Sequence, residues 1–209
     1  MDVKDVLRAE RAALCDTLER LGPGAPTLCE GWTTADLAAH LVVRERDPRS
    51  GPGIMVGGAL GRYTEKLMAR EKAKGYPELI ARLRSGPPAI VFALMPGLNV
   101  SENWIHHEDA RRANGEEPRP PDGDVDAVLT RVMARMGRVQ TRAMKPYGVV
   151  LAFPDGSRLT VRAADPSVIV RGPIGECVLY LSGRRGAARV ELEGDADALA
   201  RLRAAKLGI

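Results

Sequence analysis

The chain has 209 residues, 44% of them hydrophobic and 28% charged, with a formal net charge of +4. That balance is ordinary for a soluble globular protein with material for one large domain or two modest ones, and it argues against a disordered chain. Arginine outnumbers lysine and is spread along the chain rather than gathered into a stripe, so no nucleic-acid partner is expected.

The N-terminal segment "MDVKDVLRAERAALCDTLERLG" is charged throughout, unlike a signal peptide. Its Val3, Val6, Leu7, Leu14, Leu18 and Leu21 recur at helical steps, and "GPGAP" ends the helix. A second helix opens at "TTADLAAHLVVRERDP", where Thr33 and Asp36 form a capping-box pattern and Pro48 closes the segment. A third helix is predicted over roughly 54–74 and a short one over 78–84. Next come the apolar stretch "AIVFALMPG" and then "SENWIHHEDARR", which ends near "NGEEPRPPDG". "DVDAVLTRVMARMGRVQTRA" follows, with Val125, Val128, Leu129, Val132, Met133, Met136 and Val139 on one side. Four principal amphipathic helices predict a bundle. After Lys145-Pro146 the period shortens. "GVVLAF", "RLTVRA" and "SVIVRG" read as strands, the first two joined by the turn "PDGS"; "PIGECVLYLSG" reads as a helix, "ARVELEG" as a strand and "DADALARLRAAK" as a last helix. The expected fold class is α+β, with a four-helix bundle over 1–145 and a small α/β domain over 146–209. No run approaches the ~18 apolar residues of a membrane span.

The three cysteines, Cys15, Cys29 and Cys177, are odd in number and widely spaced; they suit a reducing cytoplasm rather than a disulfide framework. No CxxC pair is present, which disfavours a thiolate zinc site.

The chain owns only three histidines. His106 lies four residues after Glu102, about 40° around a helix, so the two project side by side. His107 is rotated by about 100° and points elsewhere. Asp109 returns to the first face, placed to orient an imidazole N–H. The third histidine, His40, sits at the edge of the buried stripe of the second helix. If both segments face one bundle interior, His40, Glu102 and His106 form a two-histidine, one-carboxylate set with positions open for water or substrate. Glu-x-x-x-His also serves as a plain i,i+4 surface contact, and a lone histidine like His40 as a hydrogen-bonded core residue.

"GWTTADLAAHL" together with "ENWIHHEDARR" resembles the DinB-like metal-dependent bundle superfamily, and within it the mycothiol-dependent maleylpyruvate isomerase group. Trp32, Asp36, Leu37, His40 and Leu41 fit one motif of that group; Glu102, His106 and Asp109 fit the other. "APTLCEGWTTADLAAHLVVRERDP" is similar to an actinobacterial branch of metal-binding relatives, and "GPIGECVLYLSGR" with "VELEGDADAL" resembles the isomerase's appended α/β domain. The resemblance implies a divalent ion, zinc foremost, on His40, Glu102 and His106, with Asp109 behind them and mycothiol as cosubstrate. A metal beside a thiol favours the thiolate, which is the nucleophile. Arg44, Arg46 and Arg62 are candidates to bind a small acidic substrate through its carboxylates; taken singly, each reads first as a solvated surface charge. His107-Glu108 and Pro48-Arg49 depart from the isomerase pattern. A metal- or thiol-binding sensor or partner-binding module without turnover, and a metal-assisted hydrolase, stay open beside the enzyme reading, as do the metal's identity and the oligomeric state. "GPGIMVGGALG" reads as a flexible connection, not a phosphate loop, since it lacks the preceding strand and the lysine. Cys29, in "TLCEGW", reads as a buried structural thiol or a thiol partner near the metal.

Overall fold

The structure is a computed structural model that describes residues 1–47, 58–87 and 96–207. The start of the third predicted helix, most of "GPGIMVGGALG", most of "AIVFALMPG" and the Pro48-Arg49 departure lie outside the described residues. The chain divides into two compact units, 1–119 and 120–209. Among the described residues there are eight α-helices, a 3-10 turn and a four-stranded sheet, an α+β fold.

The first unit is helical. α1 (Val3–Leu21) buries Val6, Leu14 and Leu18 along one stripe and ends at Gly22, whose φ of 77° places it in the left-handed region favoured by glycine. α2 (Thr34–Arg46) starts at the expected capping box: Thr33 N donates to Asp36 Oδ2 at 3.0 Å, and Asp36 N donates back to Thr33 Oγ1. This helix is buried nearly all round because it packs against α1, α3 (Gly58–Lys72), α4 (Tyr76–Arg84) and α5 (Pro96–Ala113). Leu14, Leu18, Leu37, Leu41, Leu79 and Leu83 form the centre of the core, all fully buried. Across it runs a buried ion pair: both guanidinium ends of Arg11 meet the Glu45 carboxylate at 2.6 Å, and Nη1 also donates to Leu83 O at 3.1 Å.

The second unit begins with α6 (Gly123–Gln140), opened by Asp122, whose carboxylate accepts from Asp124 N and Val125 N. A 3-10 turn (Arg142–Met144) leads into β1 (Gly148–Ala152), β2 (Arg158–Arg162) and β3 (Ser167–Arg171); then come α7 (Ile174–Leu181), β4 (Glu191–Gly194) and α8 (Ala196–Ala204). The sheet order is β2-β1-β3-β4, with β1 parallel to β3 and both outer pairs antiparallel. α6 packs on β2 and α7. A Cβ at Gly137 would stand 2.8 Å from Val161 Cβ, so helix and strand approach as closely as glycine permits. Arg162 reaches from β2 to the C-terminal end of α6, donating to Thr141 O at 2.9 Å and Arg138 O at 2.6 Å. The two compact units divide at Arg119/Pro120, and among the described residues the fifth helix of the first unit is the histidine-bearing α5. Val139 departs from the predicted apolar side of α6: it is 44% exposed. No described helix is long and apolar enough to cross a membrane.

Candidate metal centre

α2 and α5 bring His40, Glu102 and His106 together. One ligand atom from each lies within 4.8 Å of the other two. Glu102 Oε2 is 3.8 Å from His106 Nε2, as one helical turn dictates. His40 sits between two rings, with centroids 5.1 Å from Trp32 and 5.1 Å from His106. His40 and His106 are buried, while Glu102 keeps 31% of its side-chain surface. Donors on one ion with bonds of about 2.0–2.2 Å stand roughly 3.3 Å apart, so small side-chain adjustments close this set around a cation. Two imidazoles and a carboxylate fit Zn²⁺, Fe²⁺ or Ni²⁺ and would leave positions open for water or substrate.

Behind His106 stands Asp109, fully buried, whose Oδ2 is 2.9 Å from Nδ1 of the ring. The same oxygen accepts from Cys29 Sγ at 3.2 Å, and the Asp109 carbonyl accepts from Leu28 N at 3.1 Å. Cys29 is therefore half-buried and beside the cluster, on a loop tethered to α5. Burial acts to drive the proton off His106, but hydrogen bonds to Asp109 and Cys29, with the charges of Asp109 and Glu102, outweigh it and hold the imidazolium up to about 9. Without a cation, the folded ring keeps its proton above the ordinary value of 6.5, so its stabilising contribution is complete below that pH and vanishes as pH rises through about 9. Thermal unfolding of chelator-treated protein is expected to show Tm falling across that window, with the slope missing in His106→Gln. A flat profile in the unsubstituted protein would contradict this assignment.

Of the three candidate arginines, Arg44 reaches the cluster. Its Nε lies 3.4 Å from Glu102 Oε2, and its Nη1 donates to Asn99 Oδ1 at 2.9 Å. Arg46 turns to the end of α4, donating to Arg82 O, Ser85 Oγ and Gly86 O. Arg62 is exposed on α3 and joins none of these contacts. His107 faces away as its spacing predicts, toward Glu10 Oε1 and Thr17 Oγ1, each at 2.9 Å. Arg119 bridges Glu10 and Glu108, and its guanidinium lies 5.4 Å over the Trp104 ring, so this half of the segment ties α1 to α5. Burial works against the charge on Glu10, yet His107 and Arg119 hold its carboxyl below the usual range. Sequence reasoning did not identify Asn99 as the Arg44 acceptor, nor the contact of Trp32 with His40; neither has a signal in spacing, because each partner comes from a different element.

Residues 6–94 match the family model of the mycothiol maleylpyruvate isomerase N-terminal domain, and residues 119–201 match that of the MDMPI C-terminal domain. The chain belongs to the DinB-like, mycothiol-dependent maleylpyruvate isomerase superfamily. Two solved structures have the same fold over 92% of both chains: the mycothiol-dependent maleylpyruvate isomerase, with TM-score 0.62 and 18% identity, and a histidine-to-alanine mutant of it, with TM-score 0.63 and 17% identity. No curated protein matches the sequence. His40, Arg44 and Cys29 fall inside the isomerase N-terminal match, whereas Glu102, His106 and Asp109 lie between the two matched segments.

Proposed function

We propose that this chain is a metal-dependent enzyme, an isomerase or thiol transferase that uses mycothiol and acts on a small electrophilic acid in a reducing cytoplasm. The observation that carries this reading is the convergence of His40, Glu102 and His106 from two helices of an isomerase-superfamily unit. These three residues would hold the ion, zinc foremost. Bound there, the ion favours the thiolate form of a small thiol.

The protein's own groups do the rest. Asp109 fixes the ring of His106 through Nδ1, leaving Nε2 aimed at the Glu102 side. Trp32 covers His40 and restricts water on that flank. Arg44, held beside Glu102 and Asn99, is the cation at the cluster that would pair with a substrate carboxylate. Arg46 and Arg62 take no part in this reading.

The test is calorimetric titration of zinc-loaded protein with mycothiol, followed by incubation of the complex with a maleyl-type cis acid and chromatographic detection of the trans product. Thiol binding with product formation is the expected result. Thiol binding without turnover across a panel of electrophilic acids would replace the enzyme reading with that of a sensor. No binding of any thiol, with the metal retained, would leave metal-assisted hydrolysis as the chemistry to examine.

A further inference from the structure

His106 belongs to two donor groups among the described residues, one through each edge of its ring. On the Nε2 side are His40 and Glu102; on the Nδ1 side are Cys29 and Asp109. We propose that Cys29, His106 Nδ1 and Asp109 form a second metal site, selective for a thiophilic d¹⁰ ion such as Zn²⁺ or Cd²⁺. This goes beyond the isomerase reading and needs neither mycothiol nor His40.

The distances come close to what such an ion requires. Cys29 Sγ is 3.2 Å from Asp109 Oδ2 and 4.0 Å from His106 Nδ1, and Nδ1 is 2.9 Å from Oδ2. Tetrahedral coordination with bonds of about 2.3 Å to sulfur and about 2.0 Å to nitrogen and oxygen separates neighbouring donors by roughly 3.3–3.6 Å. Each observed edge is within about half an ångström of that range. The thiol and the ring both direct hydrogen bonds at one carboxylate oxygen, so an ion at the centre takes the place of those two protons, which leave to solvent; with both groups filled, the ring also gives up its Nε2 proton and bridges the two ions as an imidazolate. Thiolate, imidazole and carboxylate are three of the donor types zinc accepts, and the thiolate discriminates against hard ions such as Mg²⁺ and Ca²⁺.

The group is also held in place before any ion arrives. Leu28 N is bonded to Asp109 O, Cys29 O accepts from Trp32 N at 2.9 Å, and Thr27 Oγ1 accepts from Cys29 N at 3.2 Å. The sulfur's position therefore follows from the backbone of a short tethered loop. Cys29 is half-buried, so solvent can supply the remaining coordination position. The other two thiols offer no rival. Cys15 and Cys177 are fully buried, and burial pushes both up to about 12.

Cobalt(II) reports sulfur ligation directly. Titration of the metal-free full chain with Co²⁺ is expected to give visible d–d absorption and a near-ultraviolet thiolate-to-cobalt band, with two ions bound at saturation. Cys29→Ser should lose the near-ultraviolet band and one ion but keep visible absorption. His40→Ala should keep the thiolate band while losing the other ion, which separates this proposal from the first set. No thiolate band in the unsubstituted protein, or its persistence in Cys29→Ser, would overturn the proposal. Loss of the band in a folded His40→Ala variant would also overturn it, since Cys29 would then serve the first ion. If Cys29→Ser fails to fold, alkylation of Cys29 in the unsubstituted protein decides: a rate slowed at least tenfold by Cd²⁺ supports the site, and an unchanged rate refutes it.

Discussion

On the proposed function, His40→Ala is expected to lower affinity for a zinc-like ion by more than about 100-fold and to abolish thiol-dependent turnover, because it deletes one of the three proposed ligands rather than a supporting group. The remaining pair, Glu102 and His106, comes from a single turn of α5 and can grip an ion from one side only. Neither Trp32 nor Asp109 can substitute: the indole has no donor atom for a metal, and Asp109 lies at the other edge of the His106 ring. His106→Ala should be at least as severe. Asp109→Asn, which leaves all three ligands in place, should cost only about 10–100-fold. Elemental analysis of the purified proteins checks this order, and full metal retention in both histidine variants would remove the proposed ligand set.

The second large effect falls on stability. Arg11→Met should destabilise the protein by about 3–5 kcal/mol, because it strands the Glu45 carboxylate in a core position. The side chains of Arg11 and Glu45 are 6% and 2% exposed, and the pairing is two-pronged at 2.6 Å. The Leu83 carbonyl loses its Arg11 donor as well. The pair itself is a weaker source of stability than its rupture suggests, since two charges had to be desolvated to form it. Arg11→Met combined with Glu45→Leu should therefore recover most of the loss. Denaturant unfolding of the two single variants and the double variant gives the comparison; a single-variant loss below about 1 kcal/mol would mean that water reaches the site.

Most helices and all four strands were legible because their apolar residues keep one period. α1 shows a three-to-four spacing, the first three strands short β-branched runs, and the α2 start a capping box that the structure reproduces in both hydrogen bonds. α5 shows almost no such stripe. Its buried positions include His106, His107, Glu108 and Asp109, whose partners include groups on α1, the Cys29 loop and Arg119. Hydropathy cannot mark a face that is buried by charge pairing. α6 failed in the opposite way: its stripe was correctly read as helical, but an apolar stripe does not say what covers it. The deciding features are the close approach of Gly137 to Val161 and the reach of Arg162, both created by the fold. At the candidate site, the side-by-side projection of Glu102 and His106 was legible from their spacing, and the nearness of His40 and Arg44 to them from their places on α2. Cys29 was not legible as a neighbour of Asp109, since nothing local to "TLCEGW" records that the next element it touches is α5.

That junction separates two properties usually tied to one residue. Asp109 secures the loop through its main-chain oxygen and addresses sulfur and ring through its carboxylate. Exchanging the side chain can therefore alter the chemistry of this wall while the wall stays put. Shifting the register of α5 by a single residue would rotate every group on it by about 100° and carry the anchor and the carboxylate away together. The location of the wall is written in helix phase; its reactivity is written in side-chain identity.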